Sequence, residues 1–356
     1  MRSHFLAIAM SNFINETIMT PELGLVCISA SKTVRFKTIT RKRLLQFDLV
    51  EQERLLRELY AENLRRLGVA IEFCAANKIG LYRLSSGLFP FADDPMGAAI
   101  LDEFAGGMGL IGEQSRQLNV RLVLHPDQFV VLSSDRPEVI ENSIKILTMH
   151  ARTFDLLGLP RSPWALMNIH GGKGDRAERL IESIQNLPEN IRSRLTLEND
   201  EYTYGSEQIA EVCKAAGVPH LFDAHHHVIH EKVESYEDES VIRAFEIARS
   251  TWENPDWQVV HISNGAETFL DQKHSEYITV MPSCYRQAPW IEIEAKQKEF
   301  AIQKLQAEWL YSDLNVLPPV VVETEEQKEE EIQVEAVTPS TQDEEPSDLM
   351  EQAVSV

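Results

Sequence analysis

Short apolar runs alternate with longer amphipathic segments eight times over residues 22–310 of this chain, and that alternation constrains the fold more than any other feature. Strands are expected over 22–28, 79–84, 120–124, 164–169, 195–197, 220–222, 257–262 and 290–293. Helices are expected over 40–67 (ending at Gly68), 96–118, 137–157, from about 175, over 207–216 and 241–251, near 271, and over 295–310. Apolar positions in the first helical segment (Leu44, Phe47, Leu55, Leu59, Leu67) recur at helical spacing with charges between them. Regular strand–helix alternation gives a parallel sheet, and eight units close it into a TIM (β/α)8 barrel of the α/β class. An open, doubly wound sheet would need a reversal of strand order that nothing in the sequence marks.

Length and charge set the boundaries around that barrel. The chain of 356 residues is 43% apolar, enough for one large core. Residues 1–20 read as an N-terminal extension, 21–317 as the barrel and 318–356 as a disordered acidic tail. The tail follows Pro318-Pro319, has no aromatics, and cannot bury enough apolar surface to offset chain entropy. From Glu323 onward there are twelve Asp or Glu and one Lys, a charge of -11, so the formal -22 leaves about -11 on the rest. Global charge therefore does not announce a nucleic-acid partner. Cys27, Cys74, Cys213 and Cys284 stand far apart with no CxxC pair, which suits reduced thiols in a cytoplasmic protein. No stretch is long and apolar enough to span a bilayer, so no membrane partner is expected.

In such barrels the chemistry sits at the carboxyl ends of the strands. There the sequence places His125, His170, Glu198, Asp223 and Glu294, with His261 near the end of its strand and His274 in the following segment. Asp223 opens the tract Asp223-Ala224-His225-His226-His227-Val228-Ile229-His230. A single His at a strand end is more often a partner of a backbone carbonyl than a ligand, and a single Asp or Glu often caps the next helix. Five or six such accidents around one mouth are far less economical than a multinuclear metal centre, because unpaired buried carboxylates are costly without cations. Carboxylate oxygen and neutral imidazole nitrogen suit Zn, Mn or Fe, and the expected cofactor is Mn2+, with Zn2+, Co2+ or Mg2+ as alternatives. Such a centre suits phosphodiester hydrolysis. Glu198, His125 and His170 are the catalytic candidates, and Glu198 could bridge two ions.

Other motifs compete poorly. Gly171-Gly172-Lys173-Gly174-Asp175 lacks Walker spacing and reads as a strand-to-helix turn; no HExxH and no Gly-x-Ser-x-Gly elbow is present. Lys32, Arg35, Lys37 and Lys173 are candidate phosphate contacts, with a solvated helix entry as the bland reading of the first three.

Seven motifs in order make the chain recognisable: Leu81-Tyr82-Arg83-Leu84-Ser85-Ser86, His125-Pro126-Asp127-Gln128-Phe129, Asn168-Ile169-His170-Gly171-Gly172, Leu197-Glu198-Asn199-Asp200, Phe222-Asp223-Ala224-His225-His226, Val260-His261-Ile262-Ser263 and Ile293-Glu294-Ala295-Lys296-Gln297-Lys298. In these it resembles the UV damage endonucleases, TIM-barrel repair enzymes related to endonuclease IV. The resemblance implies that His125, His170, Glu198, Asp223, His226, His261, His274 and Glu294 hold two or three ions, with Glu198 bridging. It also implies cleavage immediately 5′ of pyrimidine dimers and 6-4 products in UV-damaged double-stranded DNA by a monomer. Gln128 and Phe129 match the pair that the family inserts opposite the lesion; without the resemblance Phe129 reads as a core aromatic. His225, His227 and His230 are left with supporting or surface roles. Two positions depart from the family pattern: Val259 stands where a Lys is common, and Cys27-Ile28-Ser29-Ala30 where an Asn is common. Both bear on metal loading and lesion preference. The rival readings are an abasic-site endonuclease, a metal-dependent barrel sugar isomerase, and a DNA-binding accessory without turnover.

Overall fold

The computed structural model describes residues 20–126 and 129–311. Eight parallel strands, β1 (Glu22–Val26), β2 (Leu81–Leu84), β3 (Arg121–Leu124), β4 (Met167–His170), β5 (Leu195–Glu198), β6 (His220–Asp223), β7 (Val259–Ile262) and β8 (Trp290–Ile293), pair in sequence order, and β8 closes onto β1. This is the expected TIM barrel. The acidic tail and the N-terminal extension, apart from Thr20, lie outside the described residues.

The period of two along each strand sorts the residues into two environments. Outward side chains such as Leu25, Tyr82, Leu124, Ile169, Leu197, Phe222, Val260 and Ile293 join the large core beneath the helices. Leu81, Val123, Leu166, Leu221 and Val259 form a separate buried cluster with Trp252, flanked by Trp257 and Trp290. Near that cluster the Arg121 guanidinium lies over the rings of Trp164 and Trp290 and donates to the carbonyls of Pro163, Trp164 and Trp257. One step further along the strands toward their carboxyl ends the inward residues become polar: Arg83, Asn168, Thr196, His261 and Glu292 are all buried. Register then aligns His170 with Glu198, Asp223 with His261 and His261 with Glu292. An apolar interior layer therefore carries a polar one, which opens at the mouth.

Several helical expectations need correction. The first long helix does not stop at Gly68. After a short turn over Arg41–Leu44 it runs Leu49–Ala76, with Asp48 capping it by accepting the Glu51 N–H. Gly68 is small because the helix packs closely there: a Cβ would meet Ile111 Cδ1 at 3.1 Å. The 96–118 segment is two helices, Pro95–Glu103 and Ala105–Gln117, divided at Phe104. Near residue 271 there is no helix among the described residues. Asp271 accepts the Glu267 and Lys273 N–H groups, and Asn264 accepts those of Thr279 and Val280, so side chains satisfy the backbone that a helix would have used. The His tract, conversely, is itself helical: Asp223 caps Ala224–Glu231. The last segment is α-helical over Lys298–Leu305 and ends in a π turn over Gln306–Leu310. No helix among the described residues is long and apolar enough to cross a membrane.

Candidate metal centre

Glu198 lies at the centre of the mouth and is only 1% exposed. Its Oε2 is 3.3 Å from His125 Nε2 and 4.0 Å from His170 Nε2, while its Oε1 is 3.0 Å from His261 Nδ1 and 3.4 Å from His226 Nδ1. The Asn168 amide donates to Oε2 at 2.5 Å, and its own oxygen accepts from Thr196 Oγ1, so two neighbouring strands fix the carboxylate's rotamer. Two donor groups share Glu198: His125 with His170, and Asp223 with His261. Within each group the donor atoms lie within 4.8 Å of one another.

Two buried atoms in these groups lack any hydrogen-bond partner, His170 Nδ1 and Asp223 Oδ2. Leaving such an atom unsatisfied costs about 1–3 kcal/mol. Asp223 uses its other oxygen to cap the His tract helix through the His226 N–H, which leaves Oδ2 free for a cation. The histidines are oriented as ligands need to be. His125 Nδ1 lies 2.9 Å from the Pro126 carbonyl and His226 Nδ1 lies 3.0 Å from the Asn199 carbonyl. A carbonyl only accepts, so each ring donates from Nδ1, which leaves Nε2 as the nitrogen that would face a cation once it is unprotonated. For His226 that nitrogen lies 3.8 Å from Glu201. The donor set fits divalent cations.

The charges agree. Burial pushes the Glu198 carboxyl up, but the charges of His261 and His170 and hydrogen bonds from His125 and His261 hold it well below the ordinary range. Burial alone would lower His261, yet Glu198 and Glu292 outweigh it and raise the imidazole to about 10 against the opposing Arg83 charge. His226 is likewise raised to about 9, burial being overcome by Asp223, Glu198 and Glu201. Without cations, the carboxylates recruit protons onto His261 and His226, whereas burial keeps the His170 imidazole below its ordinary value.

The remaining expected residues divide. Glu294 Oε1 lies 3.6 Å from His261 Nδ1, and its Oε2 lies 3.9 Å from the half-exposed His274. Phe129 is 67% exposed, so it is no core aromatic; Gln128 lies outside the described residues. Lys32 and Lys37 are exposed and Arg35 half-buried on the loop after β1, whose backbone is tied to the Asn63 side chain at Lys37. The Lys173 ammonium pairs with Asp135. Gly171–Asp175 is the turn between β4 and the helix Ala177–Gln185. Gly172 there has φ +76°, and a Cβ would meet Ser133 Oγ at 2.7 Å, so both conformation and space require glycine. Beside the centre lies a cleft of about 270 Å³ walled by His125, His170, Gly172 and Asp200 to Thr203.

Surface roles for His225 and His227 do not hold. Both are buried. His225 meets the Tyr236 hydroxyl and the Asp271 carbonyl, and His227 meets Ser206 and Ser240, so each ring is used at both nitrogens to dock the His tract helix.

Two further residues of the centre, Arg83 and Glu292, lie within their strands and not at the ends. Arg83 donates through Nε and Nη2 to the two oxygens of Glu292 at 3.0 and 2.9 Å; its Nη2 is also 2.6 Å from Glu294 and 2.9 Å from His261 Nε2. Glu292 in turn contacts His261. Their signal was parity: Glu292 faces inward because Glu294 does, and Arg83 interrupts an otherwise apolar strand. Val259, two residues before His261, is fully buried in the apolar interior cluster.

Comparison with known proteins complements this geometry. The model of the UV-endonuclease UvdE family matches residues 21–325. A UV DNA damage endonuclease of Nostoc sp. (strain PCC 7120) is 60% identical over 292 residues, covering 82% of this chain and 91% of the relative. One from Deinococcus radiodurans is 48% identical over 288 residues, covering 80% and 94%. The crystal structure of SacUVDE superposes with a TM-score of 0.70 at 27% identity, covering 83% of this chain and all of that one. Endonuclease IV from Thermus thermophilus, with a TM-score of 0.51 at 13% identity over 81% of this chain and 98% of its own, shares the fold. Matched over its whole barrel, with relatives this similar, the chain belongs to the UvdE family of UV endonucleases.

Proposed function

We propose that this chain is a DNA repair endonuclease that hydrolyses the phosphodiester immediately 5′ of a UV photoproduct, a pyrimidine dimer or a 6-4 product, in double-stranded DNA. His125, His170, Glu198, Asp223, His226, His261, His274 and Glu294 would hold two or three divalent ions, Mn2+ first among them. The observation that carries this reading is the position of the Glu198 carboxylate between two donor groups, each of which contains a buried, unsatisfied atom. When bound there, divalent ions supply Lewis acidity toward a phosphate and lower the pKa of water.

The chain's own residues do the rest. Asn168 and Thr196 hold Glu198 in one rotamer, and the Pro126 and Asn199 carbonyls set the tautomers of His125 and His226. Arg83 keeps Glu292 and Glu294 ionised and in place. The exposed Phe129 ring, with Gln128 before it, would fill the space left when a damaged dinucleotide leaves the stack; damaged bases unstack at lower cost. Lys32, Arg35, Lys37 and Lys173 would meet backbone phosphates. A monomer in a reducing cytoplasm completes the reading, supported by four unpaired cysteines that are buried or half-buried.

The test compares irradiated and unirradiated plasmid incubated with Mn2+, with and without chelator. Nicking confined to irradiated plasmid and abolished by chelator is expected. Equal nicking of both plasmids would overturn the photoproduct claim, and nicking of depurinated plasmid alone would make it an abasic-site enzyme. No nicking at any metal concentration would favour a DNA-binding accessory or the sugar isomerase reading.

A further inference from the structure

We propose that Lys173, Arg176 and Arg179, gathered on Asp135 at the rim of the cleft beside His125 and His170, form a binding site for consecutive phosphates of the DNA backbone. This rests on the reading of DNA as substrate and names a part of the surface that grips it.

The cluster comes from two loops. Asp135 follows β3, and the three cations follow β4 and open the helix Ala177–Gln185. The Asp135 carboxylate accepts from Arg176 Nε at 2.7 Å, from Arg179 Nη1 at 2.6 Å and from the Lys173 ammonium. The loops are locked together beneath it. Ser133 Oγ donates to the Gly171 carbonyl and accepts the Lys173 N–H, and the Tyr204 hydroxyl donates to the Lys173 carbonyl. Gly172, between these anchors, is itself part of the cleft wall. Lys173 therefore directly follows a wall residue of the cleft that opens onto Glu198, and Asp135 gathers Arg176 and Arg179 beside it.

Stability does not account for the arrangement. Exposed ion pairs contribute little, and all four side chains are more than a third exposed. One carboxylate cannot neutralise three cations, so the four side chains carry a net +2; the exposed Asp175 and Glu178 of the same segment would offset that surplus, but among the described residues neither carboxylate forms an ion pair with the cluster. Arg136 next to them is paired with Glu138 and changes nothing. This surplus stands on a body that is acidic as a whole. Asp135 acts instead as a template: with the Asp175 and Ser134 carbonyls, which accept from Arg176 Nη1 and Arg179 Nη1, it holds two guanidinium groups and an ammonium in place, while Arg179 Nε and Nη2 make no hydrogen bond among the described residues. Arginine forks suit phosphate oxygens, and holding them in advance spares their ordering on binding.

The experiment titrates the full-length, metal-loaded protein with a fluorescent duplex bearing one photoproduct and with its undamaged twin, over a range of NaCl. Each phosphate contact contributes about 0.9 to the slope of log K against log salt. The Arg176→Gln/Arg179→Gln variant should lower the slope by roughly two on both duplexes, because phosphate contacts are blind to lesion and sequence. Its metal content and Tm should match wild type. Asp135→Asn, which keeps the cations, should retain the wild-type slope and bind at least as tightly. An unaltered slope in the double variant, or a loss confined to the damaged duplex, overturns the phosphate site while leaving the endonuclease reading intact. A lower Tm in the double variant with an unchanged slope would make the cluster structural. A wild-type protein that binds and nicks neither duplex overturns both readings.

Discussion

Arg83→Met isolates the element of the centre that does not depend on bound metal. Arg83 is the cation facing Glu292, 1% exposed, and Glu294, 14% exposed, and it forks onto both oxygens of Glu292. Removing one partner of a buried ion pair strands the other charge and costs about 3–5 kcal/mol. For a domain of this size each kcal/mol moves Tm by about 2–4 °C, so Tm should fall by roughly 6–20 °C. Replacing Glu292 as well removes one of the two stranded carboxylates and leaves Glu294, so Arg83→Met/Glu292→Gln should recover part of the loss. Urea denaturation of the chelator-treated protein at neutral pH measures both variants. A single variant within about 1 kcal/mol of wild type, or a double variant no better than the single, would refute the reasoning.

Other consequences are independent. Asn168→Ala frees the Glu198 rotamer and should weaken metal binding about 10–100-fold, read by titration with Mn2+ and metal analysis, with the fold retained. Phe129→Ala should erode the preference for damaged over undamaged duplex by the stacking it supplies, about 1–3 kcal/mol, with metal content unchanged. Burial holds His220 at about 3 and His227 at about 4 in the folded chain. An unfolded histidine titrates near ~6.5, so between these values the unfolded state binds more protons and stability falls as pH drops. The share of each is present above pH ~6.5 and reduced by about 2 kcal/mol at pH 5. His227→Asn should therefore remove about 2 kcal/mol from the pH 7 to pH 5 decline in urea stability, and an unchanged decline would contradict a buried, neutral His227.

The barrel was legible because strand and helix periods differ and eight alternations leave few closures. Seven of the eight expected ligands stand at or within four residues of a strand's last residue, where barrel geometry puts them. Arg83 and Glu292 were hidden because they lie one step deeper; a charge inside a strand is seen as part of a centre only when inward parity is tracked along the whole strand. The His tract misled in the other direction: composition makes four imidazoles look equivalent, but a helix points them to different faces, and Tyr236, Ser206 and Ser240 claim two of them. The break at Phe104 and the loop near Asp271 were invisible to periodicity, since the latter depends on side chains capping backbone groups from a distance of up to 16 residues. Lys173 could be singled out by charge alone, but its carboxylate partner comes from the preceding strand's loop and only the fold reveals it.

The most direct test is to map the cut on an end-labelled duplex with a single pyrimidine dimer, using Mn2+-loaded wild type beside Glu198→Gln. The prediction is one incision immediately 5′ of the dimer, leaving a 3′ hydroxyl that a polymerase extends, and none from Glu198→Gln, which should also lose bound metal. Incision at the same rate on the undamaged duplex, or wild-type incision by Glu198→Gln, would contradict the account.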